Sequence, residues 1–586
     1  MLSPAAHISP SDEVYYQTHR LINDIWLIEE ARLDRRQLGH VLDGQGDQID
    51  GAPLNAEGDD DGECLRVVRV TVDGRSQFHD GVVVHYWSDQ PEAMDLTMPA
   101  VAKPADILWH DADDMYTELA SYQLNKGFAS FLTSKSLCVE EMLHHPRAGA
   151  ALAQSWQIMQ AGLQPIALQQ AQVMDLAGPD RVREMTELMQ KLFDDMALRD
   201  KAEPPVELTS DNYVEVFAQL QRTTGARFPF EIGRAIAAHL ADGPNFTVKL
   251  RRLSGLCNAV VTRDQAAPLD RMFASMIQVR GMLNDLAAGR TGVQKLMLLA
   301  NMMVGVFDGG KGIGVNFDPI NELMNAGYLP RSRAAIRRRI VAEAKADGGS
   351  ATSGDLISEL SEIDRIGAQI EQIAPSLIGD TELAAVWQER IGRVLTSENM
   401  QRVLVRYRQP TERLSLISSL FPMMRSLENR DQLGRILAQL VSMRDISREL
   451  TTDPERFMAP VPPLLKFHQR LRGYQFAAES KDAILGGIDE VISEIVERQM
   501  DKQREPDDHR PLIELLKLWL PAPISAGGAQ ELVRAQLAEA IQNPEFFNSF
   551  WASFKSERVR EQASHALERL LADYQLKTEW QTARAE

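Results

Sequence analysis

"VGVFDGGKGIGV", residues 304–315, divides two possible folds. Taken as Gly305, four residues, Gly310 and Lys311, it has the frame of a phosphate-cradling loop. Such a loop brings a strand before it, a helix directly after it and an α/β sheet around both. Taken as a glycine-rich connection, it joins two helices. The flanking residues favour the second reading. Upstream, Thr291 and Gln294 have the spacing of a capping box, and Leu296, Leu298, Leu299 and Met302 follow at helical intervals, so a helix leads in. Gly312 stands where Ser or Thr would hold magnesium, and Asp308 places a negative charge in the cradle. No helix start is signalled before Asp318-Pro319. The "GKGIG" run also lacks the strand and spacing of a dinucleotide fingerprint. The residues a nucleotide-dependent switch or enzyme would use are Gly305, Gly310 and Lys311. The expectation is instead a structural loop, no cofactor and no catalytic residue.

Outward from this loop the chain reads as helix after helix from about residue 112. Aromatic residues are only 6% of the 586, while Leu, Ala, Met and Arg abound, a mix that favours helices over strands. Start signals recur. Thr209, Ser210 and Asp211 precede "NYVEVFAQL", and Asp318-Pro319, Asp453-Pro454 and Asn543-Pro544 each set a cap residue before a proline. His144-His145-Pro146 marks a helix end. "DGGSATSGD", residues 347–355, is the clearest interior linker. The expected organisation is an N-terminal helix, acidic loop and small β-element over 1–111, a helical domain over 112–346, the linker 347–355, and a second helical domain over 356–586. The fold class is mostly α, an extended array of packed antiparallel helices, solenoid-like or multi-bundle.

One pair of helices suggests internal repetition. "LDRMFASMIQVRGMLNDL", residues 269–286, aligns without gaps with "LGRILAQLVSMRDISREL", residues 433–450, through Leu269/Leu433, Arg271/Arg435, Ala274/Ala438, Arg280/Arg444 and Leu286/Leu450. An arginine eleven residues beyond the first leucine falls near three helical turns on, which puts Arg280 and Arg444 on the apolar stripe, where each needs an acceptor.

Before residue 112 the pattern changes. Residues 11–38 carry Val14, Leu21, Ile22, Ile25, Trp26 and Ile28 and are read as an amphipathic helix capped by Ser11. Residues 42–63 hold eight acidic and no basic residues and are read as an acidic loop. "LRVVRVTV" and "VVVHYW" alternate or are β-branched, and with Asp73-Gly74 and Asp80-Gly81 as turns they predict a hairpin or meander over 65–87.

Charge is uneven. Residues 1–130 hold 24 acidic against 9 basic residues, a balance of −15 out of −20 for the chain. Such a chain is a poor candidate for wrapping nucleic acid. The one basic segment is 331–345, where Arg331, Arg333, Arg337, Arg338 and Arg339 with Lys345 oppose only Glu343. It is the candidate partner-binding helix, for RNA or an anionic membrane, but no aromatic residue interleaves it for base stacking. His79, Asp80, His85, His110, Asp111, Asp113 and Asp114 match no metal-ligand spacing, and turn and cap chemistry accounts for them. Cys64, Cys138 and Cys257 are too scattered for a disulfide framework. The longest apolar run, 296–307, is too short to span a bilayer, and the first residues lack a secretory signal, so a cytoplasmic setting is expected. The reading that fits these features is a non-catalytic protein-interaction or regulatory scaffold with a protein partner.

Overall fold

The computed structural model describes the chain from residue 108 onward, apart from 175, 289, 308–315, 347–355, 379, 408–409, 441–456, 504–507, 525–526 and 586, and before it the backbone of five strands. Among the described residues from 108 onward, 79% are helical. By contacts it divides into two compact units. One comprises Met1–Gly349 and Ile366–Val386, the other Ser350–Arg365 and Trp387–Glu586.

The strands are β1 Glu13–Ile22, β2 Ile25–Leu33, β3 Cys64–Val72, β4 His79–Ser88 and β5 Val101–Ala102, in the order β4-β3-β1-β2-β5. The β3–β4 pair occupies the segment where alternation predicted it. Over the described part of 11–38, β1 and β2 replace the expected helix as an antiparallel pair in which Ile22 faces Ile25. The cause is visible in hindsight. "VYYQTH" and "IWLIEE" are rich in β-branched and aromatic residues, and a two-residue Asn-Asp connection suits a tight hairpin. Asp80-Gly81 lies inside β4 opposite Thr71 and Val70 rather than at a turn. The acidic loop 42–63 lies outside the described residues.

In the first unit the helices pack through ordinary apolar faces. Helix Arg263–Gln278 buries Leu269, Met272, Phe273, Met276 and Ile277 and lies against helix Pro330–Ala346. Helix Gly292–Met303 packs on the same partner. Helix Trp156–Met174 lies on helices Glu118–Gly127 and Gly178–Ala202. The first of these contacts is close because Gly127 and Gly162 meet there without side chains, and a Cβ on either would strike the other's backbone or Phe128. In the second unit Trp519 is fully buried and donates its Nε1–H to the Tyr574 hydroxyl (2.9 Å), which donates in turn to the Ile524 carbonyl (3.0 Å).

Many helix starts are capped by an aspartate from elsewhere in the chain. Asp285 accepts from Phe246 N–H, Asp270 from Arg331 and Ser332 N–H, Asp431 from Ala477 N–H, and Asp489 from Gly528 and Ala529 N–H. Each satisfies otherwise orphaned amides and places a negative charge at the positive end of a helix dipole. These four carboxylates are therefore used inside the chain's own packing.

The two segments of the proposed repeat share a start. Helix Leu427–Leu440 begins 164 residues after Arg263, and Leu433, Ile436 and Leu437 are buried as Leu269, Met272 and Phe273 are. Their arginines differ, since Arg271 bonds Glu140 while Arg435 is exposed. Arg280 does not lie on the apolar stripe. Its helix ends at Gln278, Val279 is extended, and Arg280 begins a new helix, Arg280–Leu286, facing solvent. The eleven-residue count assumed an unbroken helix. Arg444 lies outside the described residues.

Candidate functional site

A helix, Gly292–Met303, leads into the glycine-rich loop, capped by Thr291 and Gln294 as their spacing predicted. Gly305 ends that helix. Its φ is +65°, its N–H bonds the Met302 carbonyl, and Val306 N–H bonds the Asn301 carbonyl, the paired closure of a left-handed helix stop. Asn325 donates to the Gly305 carbonyl, and a Cβ there would meet Asn325 and the Asn321 carbonyl. Gly305 is thus accounted for by backbone geometry. Gly310 and Lys311 lie outside the described residues. Beside the loop, Arg290, Gln294, Met297, Asn301, Val306 and Phe307 line an open cavity of about 330 Å³ on the outer side of the helix. Lys311→Ala is expected to leave nucleotide affinity unchanged. Calorimetry with ATP and GTP, with and without magnesium, checks this, and micromolar binding lost in the variant would restore the phosphate loop.

The arginines of helix Pro330–Ala346 have acceptors within the first unit. Arg337 is mostly buried and holds Asp380 with two bonds (2.6 and 3.2 Å) and Glu382 with a third (3.0 Å). Arg333 donates to the Met324 carbonyl at the end of helix Asp318–Asn325 (2.7 Å). Arg339 pairs with Glu343 (2.6 Å), and burial pulls its guanidinium below the usual range. Arg331 lies 4.0 Å from Glu118 at the surface, and Arg338 also has an intramolecular partner. The segment therefore ties helices together rather than presenting five open guanidinium groups.

Asp270 caps this helix from inside the core. It accepts from Ser332 Oγ (2.6 Å), Ser332 N–H (2.8 Å) and Arg331 N–H (2.9 Å) while only 2% exposed. Burial, the largest influence, pushes its carboxyl from 3.8 up to about 6, against the pull of those hydrogen bonds and of Arg331. Cys257 faces it, and burial pushes that thiol up to about 12. A carboxyl raised on folding holds its proton more tightly in the native chain. Its contribution to stability is full below 3.8 and is lost as pH rises toward 6. The stability of the wild type relative to Asp270→Asn is expected to fall across that window, read as urea midpoints at a series of pH values. A gap that is flat or grows with pH contradicts this.

In the same unit lies a buried polar network that no local motif announces. Lys249 and Glu141 form an ion pair at 2.6 Å, each 1% exposed, and Glu141 also caps Cys138 N–H. Glu140 accepts from Arg271 (2.8 Å), whose guanidinium also reaches the Tyr116 carbonyl. His144 bonds the Glu140 carbonyl through Nδ1 and sits between Tyr116 and Phe230, and burial lowers its affinity for a second proton. These groups are satisfied by one another and by backbone carbonyls such as that of Ser136. The aspartates at 111–114 serve as turn acceptors, with Asp111 holding Asp113 and Asp114 N–H and Asp114 holding His110 and Asp111 N–H.

Helix Trp156–Met174 is different. In a chain with 25% charged residues, the span 148–174 has none. Its inner face buries Met159, Leu163, Ile166, Ala167 and Ala171. Gln170 anchors it, its side-chain carbonyl accepting from buried Arg181 (3.1 Å) and from Trp109 N–H. Its outer face presents Ile158, Ala161, Pro165 and Leu168 in one stripe, with Trp156 at the start. Trp156, Ile158 and Leu168 are 44–45% exposed. Pro165 has no N–H to give the Ala161 carbonyl. The absence of charge was readable in the sequence, but which residues face outward was not. No family model, curated protein or solved structure matches this chain. Among the described residues no helix is long and apolar enough to cross a membrane.

Proposed function

We propose that the chain is a non-catalytic protein-interaction or regulatory scaffold built on packed helical repeats, acting in the cytoplasm, and that a protein partner docks on the outer face of helix Trp156–Met174. One observation carries the reading: a fixed, charge-free helix face with a half-exposed tryptophan on an otherwise densely charged, acidic chain. Interface cores are depleted in charge and enriched in aromatic anchors, and tryptophan is prominent among the residues whose truncation costs most. The inner face of the same helix is held by Gln170 and Arg181, so the outer face is presented without a backbone-ordering cost at binding. The polyanion reading is weakened by the internal acceptors of Arg333, Arg337 and Arg339.

The test is affinity capture from source cells with the wild type and with Ile158→Glu/Leu168→Glu, followed by mass spectrometry. The substitutions lie on an exposed face, so the helical circular dichroism should not change. Partners recovered with the wild type should fall at least tenfold with the variant. Equal recovery overturns the docking face. Recovery of nucleic acid instead of protein overturns the function.

A further inference from the structure

In the second unit, helices Pro410–Leu420 and Val461–Gly473 pack together and leave a cavity of about 130 Å³ between them. Its floor is apolar, with Leu464 and Phe467 both buried. Its rim carries Lys466, Arg470 and Ser415. Lys466 and Arg470 are four residues apart on one helix, so they project from the same side and repel one another. Neither has an ion pair or hydrogen bond within the described residues, although many arginines elsewhere in the chain are matched to a carboxylate or carbonyl. The Ser415 hydroxyl is likewise uncommitted, while Ser418 Oγ donates to the Ser415 carbonyl and fixes that turn.

We infer that this cavity is a binding site for a small organic acid with a single-ring apolar body and one carboxylate or phosphate group. Size sets the body. A cavity of about 150 Å³ lined by apolar side chains takes up a benzene ring; this one, at about 130 Å³, is smaller, mixes apolar with polar lining and is open at the rim, so it seats one ring in part with the head group outside. Charge sets the head group. Two adjacent cations with a free hydroxyl donor beside them match an oxyanion, and binding one relieves their mutual repulsion. The inference is independent of the docking face proposed above, which lies in the other unit.

Calorimetry on the full chain with phenyl phosphate and benzoate is the test. At least one should bind saturably, and at least tenfold more tightly than inorganic phosphate or benzyl alcohol, which each carry half of the chemistry. Lys466→Ala/Arg470→Ala should weaken that binding at least tenfold. Lys555→Ala/Arg558→Ala removes the same charge from another exposed part of the unit and should leave it unchanged. Whichever aryl acid binds tighter identifies the head group. The site is overturned if neither aryl acid binds saturably, if inorganic phosphate binds as well as phenyl phosphate, or if both double variants weaken binding equally.

Discussion

Replacing Lys249 with methionine is expected to lower the stability of the first unit by about 3–5 kcal/mol, the usual effect of removing one partner of a buried ion pair. Lys249 Nζ bonds Glu141 Oε1 at 2.6 Å and the Ser136 carbonyl at 2.5 Å, with both side chains at 1% exposure. Methionine matches the length of the lysine stem but leaves the Glu141 carboxylate buried without a counter-charge. Lys249→Met/Glu141→Gln should recover more than half of the loss, because glutamine is neutral yet keeps an oxygen to accept from Cys138 N–H. Urea unfolding followed by circular dichroism, with limited proteolysis to assign the transition to this unit, gives both numbers. A loss under about 1 kcal/mol for the single variant would place the pair in the class of exposed ion pairs and contradict its burial.

Arg337→Ala is expected to cost a similar amount, about 3–5 kcal/mol, since it removes the arginine counter-charge from two buried carboxylates, Asp380 and Glu382, that are 5% and 4% exposed. This arginine ties helix Pro330–Ala346 to the first turn of helix Thr381–Val394, the part of that helix that belongs to the first unit. Lysine at 337 should recover only part of the loss, because an ammonium cannot reproduce the two-pronged contact with Asp380. Hydrogen exchange should quicken in both helices in the alanine variant. Unaltered exchange and stability would return the arginine to an open surface role.

Local signals in the sequence were partial guides to local structure: Asp318 is the first residue of its helix, with Phe317 at the cap position, and Asp453 lies outside the described residues. The Thr291–Gln294 capping box, the Asn543 cap before Pro544 and the helix end at His144 are where spacing puts them. The decision about the glycine-rich stretch followed from the first of these. The hairpin over 13–33 was missed because its apolar residues satisfy a helical face and a strand alternation at once, and composition had to arbitrate. Arg280 was misplaced because nothing at Val279 announces a break. The buried pairs were illegible for a different reason. Lys249 and Glu141 are 108 residues apart, and Glu140 and Arg271 are 131 apart. Among 63 basic and 83 acidic residues no periodicity selects such partners. The arginine helix shows the same limit, since the carboxylates that hold Arg337, Asp380 and Glu382, lie 43 and 45 residues further on.

The account holds that the outer face of helix Trp156–Met174 meets the partner, while the glycine-rich loop and the arginine helix are structural. Carbene footprinting of the chain alone and with its captured partner tests this most directly. The prediction is reduced labelling at Trp156, Ile158 and Leu168 on complex formation, with 330–346 unchanged and Val306 and Phe307 unaffected by added nucleotide. Unchanged labelling at 156–168, with protection at 330–346 in the complex or at 306–307 on adding nucleotide, would contradict it.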